Sequence, residues 1–425
     1  MRAFKFLHAA DLHLDSPFRG MTAPPAMIAA AIRESTYRAF QSMIELALRE
    51  QVDFVVISGD IYDLADRSLR AQLRFQKGME KLAEAGIPSY IIHGNHDPEN
   101  GRRAALKWPD LVHFFGSSGV ERKTAHSSDG TPLAEVYGIS YAAAAVKENL
   151  VTRFNVEPSG LYKIGLLHTN VDGDASHDNY APCSKAELLN AGLDYWALGH
   201  IHIRQVLHMK PWIIYPGNPQ GRSVKETGPK GCMIVTVDER GTEPVFHRLD
   251  HVVWQHIPIG IENIDSIQAL KQAMEEAMEQ LRDGQDGRAS VVRFILTGRG
   301  ALHRELSQTS VISELAERFR EVEGEAAQQK EYPFVWIESV KQQTGNKMDL
   351  DKLLTQESFP GELVRQQGQL ENDLPELETF HEEALSLLLH HAKFSSLSSL
   401  KDPDRIKERL SQARELVLDW MEVDA

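Results

Sequence analysis

The sequence predicts a layered α/β domain, followed by a small α+β domain and a helical C-terminal segment. Three observations predict this order. From Phe4 to Tyr215, short wholly apolar runs alternate with longer stretches of helical spacing. Around Val245–Ile259 that rhythm gives way to a strand-like stretch and a smaller set of elements. Beyond Pro375 the chain is mostly of helical pattern.

The elements of the first domain, residues 1–244, follow from their periodicity. Phe4–Ala9, Phe54–Ile57, Tyr90–Ile92, Ile164–Leu167, Tyr195–Leu198 and Trp212–Tyr215 read as strands buried on both faces. One spacer opens at Pro24-Pro25 and places Ile32, Phe40, Ile44 and Leu48 at helical spacing. Another runs from Ser68 to Ala85 and closes at Gly86. Both read as helices covering a sheet.

Residues 245–341 read as the small α+β domain. A helix is expected from about Ile264 to Leu281, carrying Ile267, Leu270, Met274, Met278 and Leu281, and Gly284 and Gly287 end it. A strand at Val291–Leu296, a helix near Val311–Val322 and a strand at Phe334–Val340 complete it. Residues 342–375, rich in Gln, Gly and Asp, read as a polar linker. Residues 376–425 read as helical. Glu378–Phe394 carries Leu385, Leu388 and Leu389, and Asp402-Pro403 is an N-cap followed by Pro at the first helical position. Leu410, Ala413, Val417 and Trp420 share one side of the last helix, suited to docking a partner or to packing on the chain itself.

Composition narrows the class. At 425 residues the chain is expected to hold two or three domains. No run approaches the ~18 apolar residues of a membrane span. The short stretch before Asp11 leaves no room for a signal peptide. Cys183 and Cys232 offer neither a disulfide framework nor a zinc-type spacing, which fits a reducing cytoplasm. The net charge of −15 is awkward for a phosphate-binding protein. However, the tail from Gly345 carries 17 acidic against 9 basic residues. Between Gly199 and Gly231 the balance reverses, with Arg204, Lys210, Arg222, Lys225 and Lys230 against Glu226 alone.

Five motifs fall where the expected strands end. They are Asp11-Leu12-His13, Gly59-Asp60-Ile61-Tyr62-Asp63, Gly94-Asn95-His96-Asp97, His168 after Gly165-Leu166-Leu167, and Gly199-His200-Ile201-His202. Ligands in open α/β sheets bind beyond the carboxyl ends of strands. Imidazole and carboxylate suit Mn, Fe or Zn. Two such ions ~3.5–4 Å apart bind phosphate oxygens and make hydroxide from water at neutral pH. The glycines before Asp60, Asn95 and His200 are expected to let the backbone turn sharply. Taken singly, each motif is commonplace. Together, so many ionisable groups would be costly to bury without a metal.

In this order the motifs resemble the calcineurin-like metallophosphoesterases, and within them the SbcD-like DNA repair exonucleases. His8-Ala-Ala-Asp11-Leu-His13-Leu-Asp15-Ser16-Pro17-Phe18 is most similar to the YhaO-type bacterial branch. Tyr215-Pro-Gly217-Asn-Pro219 extends the likeness. The resemblance implies a metallophosphoesterase sandwich with residues 245–341 as a capping domain. It implies two divalent ions, Mn(II) first, with Fe or Zn as options. Asp11, His13, Asp60 and His202 would hold one ion. Asp60, Asn95, His168 and His200 would hold the other. His96 would act at the scissile phosphate, and Asp63 and Asp97 would orient ligands.

The activity implied is exonuclease, with endonuclease as a further option, on DNA. A phosphomonoesterase or cyclic-nucleotide phosphodiesterase uses the same core, and an adaptor holding an ATPase on DNA is a third reading. The resemblance also implies a coiled-coil ATPase partner at the C-terminal helices. A homodimer would form through helices around Leu69–Leu82 and Arg103–Lys107. One departure stands out: SbcD-type proteins usually have glycine where this chain has Asp15, which could narrow the site, add a ligand, repel phosphate or cap the next segment.

Arg222 and Lys225, after the Pro-Gly-Asn-Pro turn, and Arg102 and Arg103, after the Gly-Asn-His-Asp loop, could contact a DNA backbone. Solvated basic loops explain them equally. His8, His93 and His177 lie outside the motif pattern and read as structural.

Overall fold

In the computed structural model of the chain, the structure describes residues 2–16, 24–63, 68–101, 104–173, 178–308, 310–329, 333–348, 350–386 and 402–421. Strand β1 (Phe4–Ala9) shows how the fold begins. Phe4 and Phe6 go to one apolar core while Leu7 and Ala9 go to another. This period of two makes β1 a wall shared by two layers. Parallel to it run β2 (Phe54–Ser58), β3 (Ser89–Ile92) and β4 (Val112–Phe114). On its other side β11 (Gly231–Asp238) pairs antiparallel, and β12 (Gly241–Arg248) pairs with β11. The first sheet has the order β12-β11-β1-β2-β3-β4.

The second sheet has the order β5-β6-β7-β8-β10-β9, with β5 at Glu121–His126, β6 at Pro132–Gly138, β7 at Tyr162–His168, β8 at Tyr195–Gly199, β9 at Gln205–Met209 and β10 at Trp212–Tyr215. Strands β6, β7, β8 and β10 are parallel. The inner faces of the two sheets meet in one core, where Phe6 and Phe54 stack at 5.2 Å and Tyr195 meets Phe6 edge-on. Burying each such ring contributes about 1.5–3 kcal/mol. Helices α1 (Ala26–Arg49) and α2 (Leu69–Glu84) cover the outer face of the first sheet. A 3-10 helix (Leu150–Arg153) and α3 (Lys185–Asn190) cover that of the second. The expected layered α/β fold is therefore a four-layer sandwich. The parallel strands β1, β2 and β3 end just before their motifs, and β7 and β8 end on His168 and Gly199.

The chain forms two compact units. The first comprises Met1–His256, Gln280–Arg293 and Arg320–Glu338; the second comprises Ile257–Glu279, Phe294–Phe319 and Ser339–Ala425. A three-stranded sheet has the order β13 (Val252–Gly260), β14 (Ala289–Arg299), β15 (Val335–Gly345), and α4 (Ile267–Gly284), α5 (His303–Leu306) and α6 (Val311–Gln329) lie between its strands in the chain. In the first unit Trp254, Val291 and Trp336 pack with Ile28 and Ile32 of α1. In the second unit Arg299 pairs with Glu415 at 3.2 Å and also with Asp419.

Three sequence expectations need correction. The boundary at 244/245 falls inside β12, which stays paired with β11 as far as Arg248. Residues 342–375 are not a linker. They hold the end of β15, then α7 (Leu350–Thr355) and α8 (Phe359–Asn372), capped by Ser358. Leu353 and Val364 there pack with Leu418 of the last helix, α10 (Pro403–Trp420), so a few well-spaced apolar residues outweigh the polar composition. The helix expected around Arg103–Lys107 is absent among the described residues 104–107. Side chains of α2 satisfy that irregular backbone instead: Gln72 accepts from the Ala104 N–H and Gln76 donates to the Lys107 carbonyl. In the tail, α9 spans Leu374–Ala384, starting earlier than expected because Asp373 caps it and Pro375 opens it. Arg102, Arg103, His177, Leu388 and Leu389 lie outside the described residues.

Candidate metal centre

Beyond β1 and β2 the two chains keep bonding as they turn. The Asp11 N–H donates to the Gly59 carbonyl and the His13 N–H to the Asp60 carbonyl, both at 3.0 Å. The turning requires the left-handed backbone region at Asp11 (φ 54°), His13 (φ 42°), Asp60 (φ 51°) and His200 (φ 104°). Such residues cost about 1–2 kcal/mol each. Their gathering at one end of the two facing sheets is typical of functional sites.

The glycines act differently from the expectation. Gly59 does adopt φ 89°, which favours glycine. Gly94 and Gly199 are not left-handed, and what they supply is space for His168. A Cβ on Gly94 would lie 2.7 Å from His168 Cε1 and would strike Asp60 Oδ1. On Gly199 it would strike the Ser58 carbonyl and lie 2.9 Å from His168 Nδ1.

The ends of the two sheets bring together three groups of possible metal ligands: Asp11, His13 and His202; Asp11, Asp60 and His168; and His13, Asp63 and His96. Asp60 Oδ2 lies 3.4 Å from His168 Nε2 and 3.7 Å from His13 Nε2. Both Asp11 oxygens accept from the His200 N–H at 3.1 Å. Asn95 Oδ1 lies 2.9 Å from His168 Nε2. His168 donates Nδ1–H to the Ser58 carbonyl at 2.9 Å, which leaves Nε2 facing the cluster. His200 turns Nε2 to the Asp178 carbonyl at 2.8 Å, so a ligand role would fall to its Nδ1.

A set of carboxylates backs the histidines. Glu226 Oε1 accepts from His202 Nδ1 at 2.8 Å, and Asp63 Oδ1 accepts from His96 Nδ1 at 2.6 Å. Arg222 reaches both acids. Its Nη1 donates to Asp63 Oδ2 at 3.1 Å, and its Nη2 lies 3.4 Å from Glu226 Oε1. Ser16 also donates to Asp63. Asp97 instead braces backbone: it accepts from the Gly94 N–H at 2.8 Å and the Ile61 N–H at 3.1 Å, and meets His93 Nδ1 at 3.2 Å.

The electrostatics follow from burial and from these partners. Burial alone would raise the Asp60 carboxyl, but His168, His13 and His96 reverse this and hold it well below the usual range. Burial pushes the Asp11 carboxyl up. Burial, with Arg222 nearby, lowers His13 to about 4. Burial would lower His96 too, but Asp63 and Asp60 outweigh it and raise His96.

The remaining sequence candidates are placed as follows. Lys225 is exposed, whereas the Arg222 side chain is only 14% exposed and turned into the acid pair. Asp15 belongs to none of the ligand groups among the described residues. It accepts from Ser68 Oγ at 2.7 Å, and Ser68 caps α2. Its φ of 62° is a conformation that suits glycine and that Asp tolerates. His8 is satisfied by Tyr195 and the Leu198 carbonyl, and His93 stacks on Phe114. Sequence reasoning missed Ser58 and Glu226 as orienting groups. Glu226 did leave a signal, as the one acid in a basic stretch.

The donor set fits cations. His13 Nε2 and His202 Nε2 face each other at 3.2 Å. The outer nitrogen of His202 is hydrogen-bonded to Glu226, and that of His13 lies 3.5 Å from Asp63. His202 Nε2 therefore presents a lone pair, and His13, whose Nδ1 makes no hydrogen bond, can turn Nε2–H toward it. A divalent ion would take these two imidazoles as ligands, a donor type suited to such cations.

Residues 4–204 match the family described as calcineurin-like phosphoesterase, and residues 254–345 match the middle domain of metallophosphoesterase YhaO. The chain is 40% identical over 349 residues to the uncharacterized metallophosphoesterase YhaO of Bacillus subtilis (strain 168), covering 82% of this chain and 84% of that one. It is 27% identical over 216 residues to the DNA double-strand break repair protein Mre11 of Sulfurisphaera tokodaii, covering 49% of this chain and 51% of that one. It is 28% identical over 227 residues to the Mre11 of Thermoplasma acidophilum, covering 52% and 57%. The chain therefore belongs to the calcineurin-like metallophosphoesterases, in the family of YhaO.

Proposed function

We propose that this phosphoesterase is a two-metal DNA exonuclease, with endonuclease activity as an extension of the same chemistry, that acts in DNA repair with manganese. The position of Asp60, one carboxylate between His13 and His168, carries the two-metal reading. Kinship with the Mre11 proteins supports DNA as the substrate. Asp11, His13, Asp60 and His202 would hold one ion, and Asp60, Asn95, His168 and His200 the other. Divalent ions bound there supply Lewis acidity and hydroxide at neutral pH. The protein's part is orientation. Ser58 and Glu226 fix His168 and His202 so that each offers Nε2. Asp63 holds His96 by Nδ1, so a proton delivered to the leaving oxygen would come from Nε2.

DNA would be met by Lys225, with Arg102 and Arg103 as further contacts. A cytoplasmic setting agrees with two free, buried cysteines, and among the described residues no helix is long and apolar enough to cross a membrane. A coiled-coil ATPase would dock on the C-terminal helices. There a cavity of about 410 Å³ is lined by Leu363, Leu370, Phe380, Leu410 and Val417. The exposed Leu69 and Leu73 of α2 would serve a homodimer.

The test is digestion of linear double- and single-stranded DNA with added manganese, beside His96→Ala and a chromogenic phosphodiester. Digestion lost in His96→Ala supports the nuclease. Cleavage of the small ester alone moves the function to a small-substrate phosphodiesterase.

A further inference from the structure

Arg222 sits where two separate orienting pairs converge. On one side is Asp63, which holds His96; on the other is Glu226, which holds His202. Arg222 Nη1 donates to Asp63 Oδ2 and to Ser16 Oγ, each at 3.1 Å. Its Nη2 lies 3.4 Å from Glu226 Oε1 and 3.3 Å from His202 Nδ1. The loop that carries it is itself fixed. The Arg222 N–H and Asn218 Nδ2 donate to Glu226 Oε2 at 2.7 and 2.8 Å, and the Gly221 carbonyl accepts from Trp254 Nε1 at 2.8 Å. Only a planar fork with donors in two directions can serve two carboxylates at once. Its charge also offsets two acids that would otherwise stand unneutralised beside Asp11 and Asp60.

We propose that Arg222 is a positioning residue that locks Asp63 and Glu226 together. It thereby ties the orientation of His96 to that of the metal-facing His202. It acts through those acids and touches no substrate. This rests on the metal-centre reading but not on DNA as the substrate.

The experiment compares wild type, Arg222→Gln and Arg222→Lys in the full chain. Calorimetric titration with manganese gives metal affinity, and kcat and KM are measured on bis(p-nitrophenyl) phosphate and on linear DNA. Outer-sphere partners of metal ligands typically matter 10–100-fold. The expected result for Arg222→Gln is about tenfold or more weaker binding of one manganese ion. Its kcat on the small ester should fall similarly, with KM within about twofold of wild type. Arg222→Lys should recover only part of both, because one nitrogen replaces the two that separately meet Asp63 and Glu226. Wild-type metal affinity and kcat on the small ester, with a raised KM for DNA alone, would make Arg222 a backbone contact and overturn the proposal. If Arg222→Gln does not fold, a folded Arg222→Lys equal to wild type in both readouts also overturns it. A wild type inactive on both substrates but binding manganese would sink the phosphodiesterase reading, while the calorimetric arm still decides the role of Arg222.

Discussion

His13 Nε2 and His202 Nε2 lie 3.2 Å apart, although 189 residues separate them in the chain. An ion held there by the folded state alone would stabilise that state by mass action. Chelation should lower the melting temperature, and manganese should raise it in a concentration-dependent way. At 100 times Kd the gain is about 2.7 kcal/mol. A thermal melt unchanged by saturating manganese after chelation would remove the metal centre.

His96 is held at Nδ1 by Asp63 and shares with Asp63 and His13 a ligand group that lacks Asp11. Its replacement by alanine should leave manganese stoichiometry intact while kcat falls about 10²–10⁴-fold, the range of general acid catalysis. Metal analysis of the purified variant beside its kinetics checks this. Loss of metal in step with activity would make His96 part of the ligand scaffold instead.

His8 is buried and neutral, donating Nε2–H to the Leu198 carbonyl and accepting from Tyr195. Burial lowers its pKa to about 3, against 6.5 when unfolded. Between those values the unfolded chain binds the extra proton, so stability falls as pH falls below 6.5. From pH 6.5 to 5.5 the loss is about 1 kcal/mol. Urea unfolding in chelator should show this slope in wild type and a shallower one in His8→Asn. Equal slopes would contradict it.

Gly94→Ala forces a methyl group against Asp60 and His168. Overpacking of this kind costs about 1–3 kcal/mol, and here the displaced atoms belong to the proposed ligands Asp60 and His168. Weakened manganese binding should accompany the lower stability. Gly119→Ala is the control, because nothing lies within 4 Å of its added Cβ.

Asp15→Gly removes one hydrogen bond to Ser68 but relieves a left-handed backbone. These effects oppose each other, so stability should change by less than about 1 kcal/mol. Metal stoichiometry and kcat should match wild type. A lost ion would make Asp15 a ligand after all.

Much of this was legible in the chain before folding. Strands β1 and β10 begin and end where their apolar runs do, and Ser68 and Asp402 cap the helices that their positions suggested. These features are local. Apolar spacing reports burial within one element, and a cap needs only its own first turn. The five motifs were equally plain, because each follows its strand without interruption.

What the sequence by itself determined was therefore the layered α/β class, the elements that carry the motifs, and the carboxylate and imidazole residues that reach one end of the strands. Tertiary structure alone decided which strands share a sheet and how the residues at that end meet. It set Glu226 behind His202 and Arg222 between two acids, and it used Gly94 and Gly199 as room for His168. It also turned a polar stretch into α7 and α8 through Leu353, Val364 and Leu418. The physical reason is range. Hydrogen bonds and close contacts between segments many residues apart leave no periodic mark on either segment, and they appear only when packing brings the two together.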